Sequence, residues 1–300
     1  ARRHLAHTTP RPPPFAPDMS EMGITFAKFE AARHTLPPVK PVSQIPPDSA
    51  RALLGVCFDL DDTLLDDGRL TVPALEALYR LSEAGLILIG ATGRPAAWGQ
   101  VLTRQWPVAG MVTENGIVAL TRREGRIVVL DRADPGERAA RRRALTALVT
   151  EMQRELPELQ SSDDVMGRLA DHSFDIAESR VLPAETVRAA TDFARQRGAR
   201  VVQSSIQLHV SFDADDKASG VVRLLRLQHG IDPTVATHRF AFIGDSENDA
   251  SCFAAFQLSF GVANLRGRPS LLPRFRAAGA KDAGFVEIAD RDDALRAFCG

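Results

Sequence analysis

Over residues 51–132, and again beyond 213, short apolar runs alternate with stretches whose apolar positions recur at helical spacing. The runs Ala52–Phe58, Leu86–Ala91, Gly110–Val112 and Phe240–Ile243 are nearly free of polar side chains, as strands covered on both faces are. Thr71–Ala84, Pro95–Gln105, Ala218–Gln228 and Asp249–Phe256 read as amphipathic helices between and after them. This rhythm predicts an α/β fold, a doubly wound parallel sheet that binds ligands at the carboxyl ends of its strands.

Residues 133–212 follow a different pattern. A long helix over Pro135–Leu156 leads to a strand at Ser173–Ala177, a helix over Pro183–Arg197 and strands at Arg200–Gln203 and Gln207–Phe212. That order predicts an inserted α+β unit with its own sheet. Arg138, Arg141, Arg142 and Arg143 are spread around the first helix with Glu137 among them, so they read as a solvated face rather than a phosphate site. Residues 1–50 hold more than half of the 19 prolines and read as a mostly disordered tail, with a short amphipathic helix possible over Glu21–His34. The expected organisation is a tail at 1–50, a core built from 51–132 and 213–300, and a cap at 133–212. The chain begins at Ala1, and Met19 opens a more conventional stretch, so the first 18 residues read as a leader, an expression remnant or a misassigned start.

Composition narrows the classes of function. The chain has 300 residues, 44% hydrophobic and 25% charged, with a net charge of -1, so no global field favours nucleic acid or a membrane surface. Both are excluded as expected partners. Cys57, Cys252 and Cys299 are isolated, without the spacing of a zinc site or a disulfide framework, which fits a reducing cytoplasm. No apolar stretch is long enough for a membrane span, and Arg2 and Arg3 precede prolines rather than the apolar segment of a secretory signal. Nothing in the sequence specifies an oligomeric state.

The chemistry concentrates where the apolar runs stop. Gly55–Phe58 ends in Asp59-Leu60-Asp61-Asp62-Thr63, and buried carboxylates there need a cation and a ligand to compensate them. Asp59 and Asp61 project to one side if the extended geometry continues, and such a pair can divide labour. One carboxylate attacks phosphorus, while the other, held protonated, gives its proton to the leaving oxygen. Asp62 points the other way and reads as a turn residue. Leu86–Ala91 ends in Thr92-Gly93-Arg94-Pro95, where a hydroxyl and a free N–H at a strand-to-helix turn can hold a phosphoryl oxygen. Lys217 opens a helix and is the candidate fixed cation. Phe240–Ile243 ends in Gly244-Asp245-Ser246-Glu247-Asn248-Asp249, an oxygen-rich segment suited to Mg²⁺. Singly, each has a structural reading: a solvated loop, an N-cap Thr, a surface Lys. Four such strand ends in this order are not what turns alone produce.

These four segments, in order, resemble the motifs of the haloacid dehalogenase (HAD) superfamily of phosphotransferases, over about residues 52–290. The resemblance implies a Rossmann-like core, with Asp59 as nucleophile and metal ligand and Asp61 as general acid/base that lends its backbone carbonyl to the metal. It further implies that Thr92, Gly93, Lys217 and Asn248 bind the phosphoryl group and that Asp245 and Asp249 complete a Mg²⁺ site. Asp61 separates the chain from the superfamily's dehalogenases, which lack that acid. The gap from Asp59 to Thr92 fits one crossover helix and a strand, whereas the gap from Thr92 to Lys217 is far longer, so the cap belongs in the second gap. That position, with Glu114-Asn115-Gly116, resembles subclass IIB, the group of Cof-type, sucrose-phosphate and mannosyl-3-phosphoglycerate phosphatases. The implied activity is that of a phosphatase acting on a small phosphomonoester, a sugar phosphate or similar. Arg94 and the cap's Arg168, Asp171, His172, Asp175, Ser204, Gln207 and His209 are the candidates for substrate contacts. Two alternatives stay open: a phosphosugar mutase, although that group usually carries Ser-Gly-Ser where this chain has Thr92-Gly93-Arg94, and an inactive scaffold that only binds.

Overall fold

The computed structural model of the chain describes residues 39–204, 206–265 and 273–290. The suggested helix over Glu21–His34, Met19 and Cys299 lie outside these. Among the described residues the strands are β1 (Lys40–Pro41), β2 (Gly55–Phe58), β3 (Ile87–Ala91), β4 (Gly110–Thr113), β5 (Val118–Arg123), β6 (Arg126–Asp131), β7 (Gln160–Ser161), β8 (His172–Asp175), β9 (Arg200–Gln203), β10 (Gln207–Ser211), β11 (Phe240–Gly244), β12 (Leu258–Gly261) and β13 (Phe275–Arg276). The helices are α1 (Pro47–Arg51), α2 (Val72–Glu83), α3 (Ala96–Gln105), α4 (Pro135–Glu155), α5 (Ala184–Gln196), α6 (Lys217–His229), α7 (Pro233–Arg239), α8 (Ala250–Ala255) and α9 (Lys281–Ala289).

Nine strands form the main sheet in the order β1-β13-β12-β11-β2-β3-β4-β5-β6. All neighbours from β1 through β4 run parallel, and the hairpin β5–β6 closes the far edge antiparallel. Alternate side chains of the central strands enter opposite layers. Phe58, Leu88 and Ile243 pack with α2 and α9 on one face, while Cys57, Ile89 and Phe242 pack with α6 and α8 on the other. Both faces are covered, which is why these strands are nearly continuous apolar runs. The chain's α/β, Rossmann-like sheet is as the rhythm of the sequence predicts.

The last part of the expected disordered tail departs from that reading. Lys40–Pro41 pairs in parallel with Phe275–Arg276 at the sheet edge, and Val42 and Ala50 are buried. Edge position explains how proline is tolerated, since the outer side of the strand needs no ladder donor. The hairpin β5–β6 is not among the strands the sequence predicts; its outer strand, Arg126–Asp131, is apolar only over Ile127–Leu130 and partly exposed.

A second, antiparallel sheet, β7-β8-β10-β9, carries α4 and α5 on one face, with Phe174, Leu208 and Val210 meeting Leu148, Met152 and Ala190. The period of two then puts Ser173, Asp175, Gln207, His209 and Ser211 on the other face, all buried although polar. The two crossings between the sheets are fastened by the arginines expected on a solvated helix face. Arg138 holds Asp131 at 2.6 Å and Asp213 at 2.7 Å, Arg141 also reaches Asp213, and the Asp213 side chain is fully buried. A buried carboxylate at the crossing draws both guanidiniums inward, so that face of α4 is not solvated at this end.

Candidate active site

Three parallel strands, β2, β11 and β3, end side by side, and their carboxyl ends bring the acidic segments together. Asp59 continues the ladder by donating its N–H to the Ile243 carbonyl at 2.9 Å, which fixes it beside the start of the Asp245 loop. That loop is tied by Asp249, whose Oδ2 accepts from the backbone N–H of Asp245 (3.0 Å) and Ser246 (3.1 Å). Lys217 comes from the first turn of α6, which Asp216 and Ser219 open with a reciprocal capping box. Gly116 makes that approach possible: at φ +109°, a Cβ on it would lie 1.9 Å from the Asp216 carbonyl oxygen.

At the centre, the fully buried Lys217 ammonium donates to Asp59 Oδ1 at 2.6 Å and to Asp249 Oδ1 at 2.7 Å. Burial works against its charge, but Asp249 and Asp59 more than offset this and hold it protonated. Burial pushes Asp59 well above the usual carboxylate range, against the pull of Lys217, and Asp249 and Asp245 add to the rise. Asp245 is pushed up to about 7 by burial and by Asp249. One ammonium therefore faces three crowded carboxylates. Oxygen atoms of Asp59, Asp245 and Asp249 all lie within 4.8 Å of one another, an all-oxygen donor set suited to one hard divalent cation. Thr63 braces the cluster by donating to Asp245 at 3.3 Å.

Asp61 lies at the mouth of the site, 36% exposed at its side chain. Arg94 binds it with two nitrogens, Nε at 2.9 Å and Nη2 at 2.7 Å, and stacks its guanidinium 4.3 Å above Trp98. Thr92 is fully buried beneath the turn, its hydroxyl accepting from the Arg94 N–H. A cavity of ≈ 280 Å³ joins these groups, lined by Asp59, Asp61, Gly93, Arg94, Asp245 and Asn248 from the main sheet. Its other wall comes from the second sheet: Glu178, Ser204, Ile206, Gln207 and His209. The size suits a small metabolite.

Of the substrate-contact candidates, Arg168, Asp171, His172 and Asp175 do not line the cavity, and Thr92, Lys217 and Asp249 lie beneath its surface. His172 shares its sheet face with Phe174, stacks edge-on against it at 4.8 Å and meets Ser161, so it belongs to the helix-facing side. One residue of register separates it from the polar face. Arg168 lies buried behind the wall, bonded to Asp164, Asp171, Gln207 and the Gly93 carbonyl. Asp171 in turn holds the His209 Nδ1 at 3.1 Å, and Arg168 and His209 keep Asp171 down at about 2 despite its burial. Asp175 is spent on the backbone of Glu178 and Ser179, and Ser204 on that of Ile206 and Gln207.

Two further residues, Asn264 and Glu178, were not identified from the sequence, and Glu114 was named there only as part of Glu114-Asn115-Gly116, without a role. Asn264 donates to Asp245 Oδ2 at 3.0 Å and to the Asp62 carbonyl, from a loop with no legible motif. Glu178 sits beside Gln207 in a turn of ordinary polar composition. Glu114 is fully buried at the end of an apolar strand, and that isolated acid was the available signal.

A family model described as haloacid dehalogenase-like hydrolase matches residues 56–139, which span the first two motifs. A phosphoglycolate phosphatase of Methanospirillum hungatei is 26% identical over 241 residues, 79% of this chain and 95% of its own length. One from Archaeoglobus fulgidus is 29% identical over 217 residues, 71% and 85% of the two chains. Among solved structures, a Thermoplasma acidophilum protein superposes with a TM-score of 0.65 at 19% identity, covering 81% of this chain and 98% of its own. The sucrose-phosphatase of a Synechocystis species, solved with sucrose and phosphate, gives 0.55 at 18% identity, over 82% and 98%. The family model, the curated relatives and the solved structures agree with the four strand-end motifs: the chain is similar to haloacid dehalogenase-like hydrolases and shares the fold of these solved structures.

Proposed function

We propose that this chain is a Mg²⁺-dependent phosphomonoester hydrolase working through an aspartyl-phosphate on Asp59, with a sugar phosphate as substrate. The observation that carries the reading is the buried Lys217 bridge between Asp59 and Asp249 beside Asp245, at the floor of a cavity open to a small ligand. A fixed ammonium among crowded carboxylates is what transfer of a dianionic phosphoryl group needs.

In this reading the Asp59 carboxylate attacks phosphorus, and the bond to the ester oxygen breaks. Asp61 protonates that oxygen and so releases the alcohol. Water then attacks the aspartyl-phosphate; Asp61 takes its proton, inorganic phosphate leaves and Asp59 is regenerated. Lys217, the Thr92 hydroxyl, the Gly93 N–H and Asn248 hold the phosphoryl oxygens. Asp59, Asp245, Asp249 and the Asp61 carbonyl would hold Mg²⁺, which when bound neutralises charge on the phosphoryl group. Arg94 orients Asp61 through its two-nitrogen contact.

A hydroxyl-rich leaving group is favoured over a carboxylate by the wall around it. Arg94 is matched by Asp61 and Arg168 by Asp164 and Asp171, while Gln207, His209 and Glu178 offer hydrogen-bonding groups at the wall and no unmatched guanidinium or ammonium. Phosphoglycolate is the second reading, because both curated relatives are named for it. Among the described residues no helix is long and apolar enough to cross a membrane, and the thiols of Cys57 and Cys252 are buried, which suits a reducing cytoplasm.

The test is phosphate release with Mg²⁺ from hexose 6-phosphates, disaccharide phosphates, phosphoglycolate and nucleotides, with Asp59→Asn as the blank. Turnover is expected to be highest on a sugar phosphate and to fall more than about a thousandfold in the variant. Conversion of a 6-phosphate to its 1-phosphate without phosphate release would make the chain a mutase. Release unchanged in Asp59→Asn would remove the nucleophile from this reading.

A further inference from the structure

Glu114 has no part in the reaction above, yet among the described residues it is the acid most fully enclosed by backbone donors. Its Oε1 accepts from the N–H of Ala96 (3.1 Å), at the start of α3, and of Leu169 (2.8 Å). Its Oε2 accepts from Ala170 (2.7 Å) and Asp171 (2.9 Å). The residue belongs to the main-sheet half, whereas Leu169, Ala170 and Asp171 lead into β8 of the cap. Its own N–H donates to the Arg94 carbonyl and that of Asn115 to the Thr92 carbonyl, so the same short segment also grips the phosphate turn. Both residues adopt positive φ, 52° and 55°, a strained geometry that persists only where the surroundings demand it.

The connection continues to the cavity wall. Asp171, gripped by its N–H, fixes the ring of His209, and Arg168 links Asp171 to Gln207 while donating to the Gly93 carbonyl at 3.0 Å. His209 and Gln207 face the ligand. We infer that Glu114 is a positioning residue: its carboxylate sets the height and register of the substrate-reading wall, through Asp171 and His209, over the turn Thr92-Gly93-Arg94. This rests on the proposed phosphatase activity and adds to it a determinant of leaving-group selection outside the cavity. Burial and the neighbouring Asp171 push Glu114 up to about 7 in spite of its backbone donors, which marks how much the surrounding structure is asked to hold there.

Glu114→Gln tests the inference because one carboxylate oxygen becomes an NH₂. A glutamine that keeps its oxygen on Ala96 must turn its NH₂ toward the N–H groups of Ala170 and Asp171, and the reverse orientation loses Ala96 and Leu169. The readouts are hydrogen exchange at amides 169–171, and kcat and KM for glucose 6-phosphate, whose sugar meets the cap, against p-nitrophenyl phosphate, whose leaving group needs little help. Expected are faster exchange at those amides, a KM for glucose 6-phosphate raised about tenfold, and kcat/KM for the aryl ester within about twofold of wild type. Equal losses on both esters with a matching fall in melting temperature would mean a purely structural role and overturn the inference, as would unchanged exchange and kinetics. If the wild-type chain releases no phosphate from either ester, the phosphatase reading fails, and the exchange comparison alone decides the tie: protection at 169–171 unchanged in Glu114→Gln overturns it.

Discussion

Lys217 ties the fold together through a buried ion-pair bridge and, in the proposed reaction, also holds the phosphoryl group. Its ammonium is the nearest compensation for Asp59 and Asp249, neither of which is more than marginally exposed. Removing one partner of a buried pair leaves the other uncompensated, at a cost of about 3–5 kcal/mol. Lys217→Met is therefore expected to lower stability by that amount in chemical denaturation with chelator present, and to abolish phosphate release. Added Mg²⁺ should restore part of the stability and none of the turnover, because a divalent cation replaces charge but not the geometry around the phosphoryl group. At this scale the sequence was readable where physics is local: an acid directly after an apolar run is conspicuous, and Asp59, Asp245 and Lys217 do converge. Arg168 and His172 were misread because polarity alone does not say which face of a strand or which side of a wall a residue takes.

At the scale of elements, the cap sheet separates a polar face from an apolar one, and His172 is on the costly side. Burial holds its imidazole near pKa 4, against an ordinary 6.5. The unfolded chain takes up that proton as pH falls through 6.5 while the folded chain resists until about 4, so stability present above 6.5 is lost across this window. His172→Gln should flatten the dependence by roughly 1–2 kcal/mol, allowing for partial exposure, when denaturation midpoints are compared at pH 7 and pH 4.5. A slope identical in both proteins would remove His172 as its source. Strands β2, β3, β4 and β11 were legible as apolar runs because the main sheet is covered on both faces. The edge strand β1 was not: it has one open side and consists of Lys40 and Pro41, so its composition resembles a loop.

Across the whole molecule, the long gap between Thr92 and Lys217 holds the second sheet and its helices, and the gap alone does not say how firmly they are held. Pair interactions between residues far apart in sequence decide this: Arg138 and Arg141 with Asp213 at the crossings, Glu114 with the cap loop on the other side. No periodicity encodes them. The same long-range assembly leaves Asp59, Asp245 and Asp249 crowded around a single ammonium, a surplus of negative charge that the fold tolerates at the expense of raised carboxyl pKa values. A cation that binds there only in the folded state must stabilise the whole chain. At a hundred times its dissociation constant the gain is about 2.7 kcal/mol. For a chain of this length each kcal/mol moves the melting temperature by about 2–4 °C, so Mg²⁺ should raise it by roughly 5–10 °C over chelator-treated protein. Asp249→Asn should lose most of that rise, whereas Asp48→Asn, in an exposed ion pair remote from the motifs, should keep it. An equal rise in both variants would assign the effect to screening of surface charge, and the carboxylate cluster would then hold no specific cation.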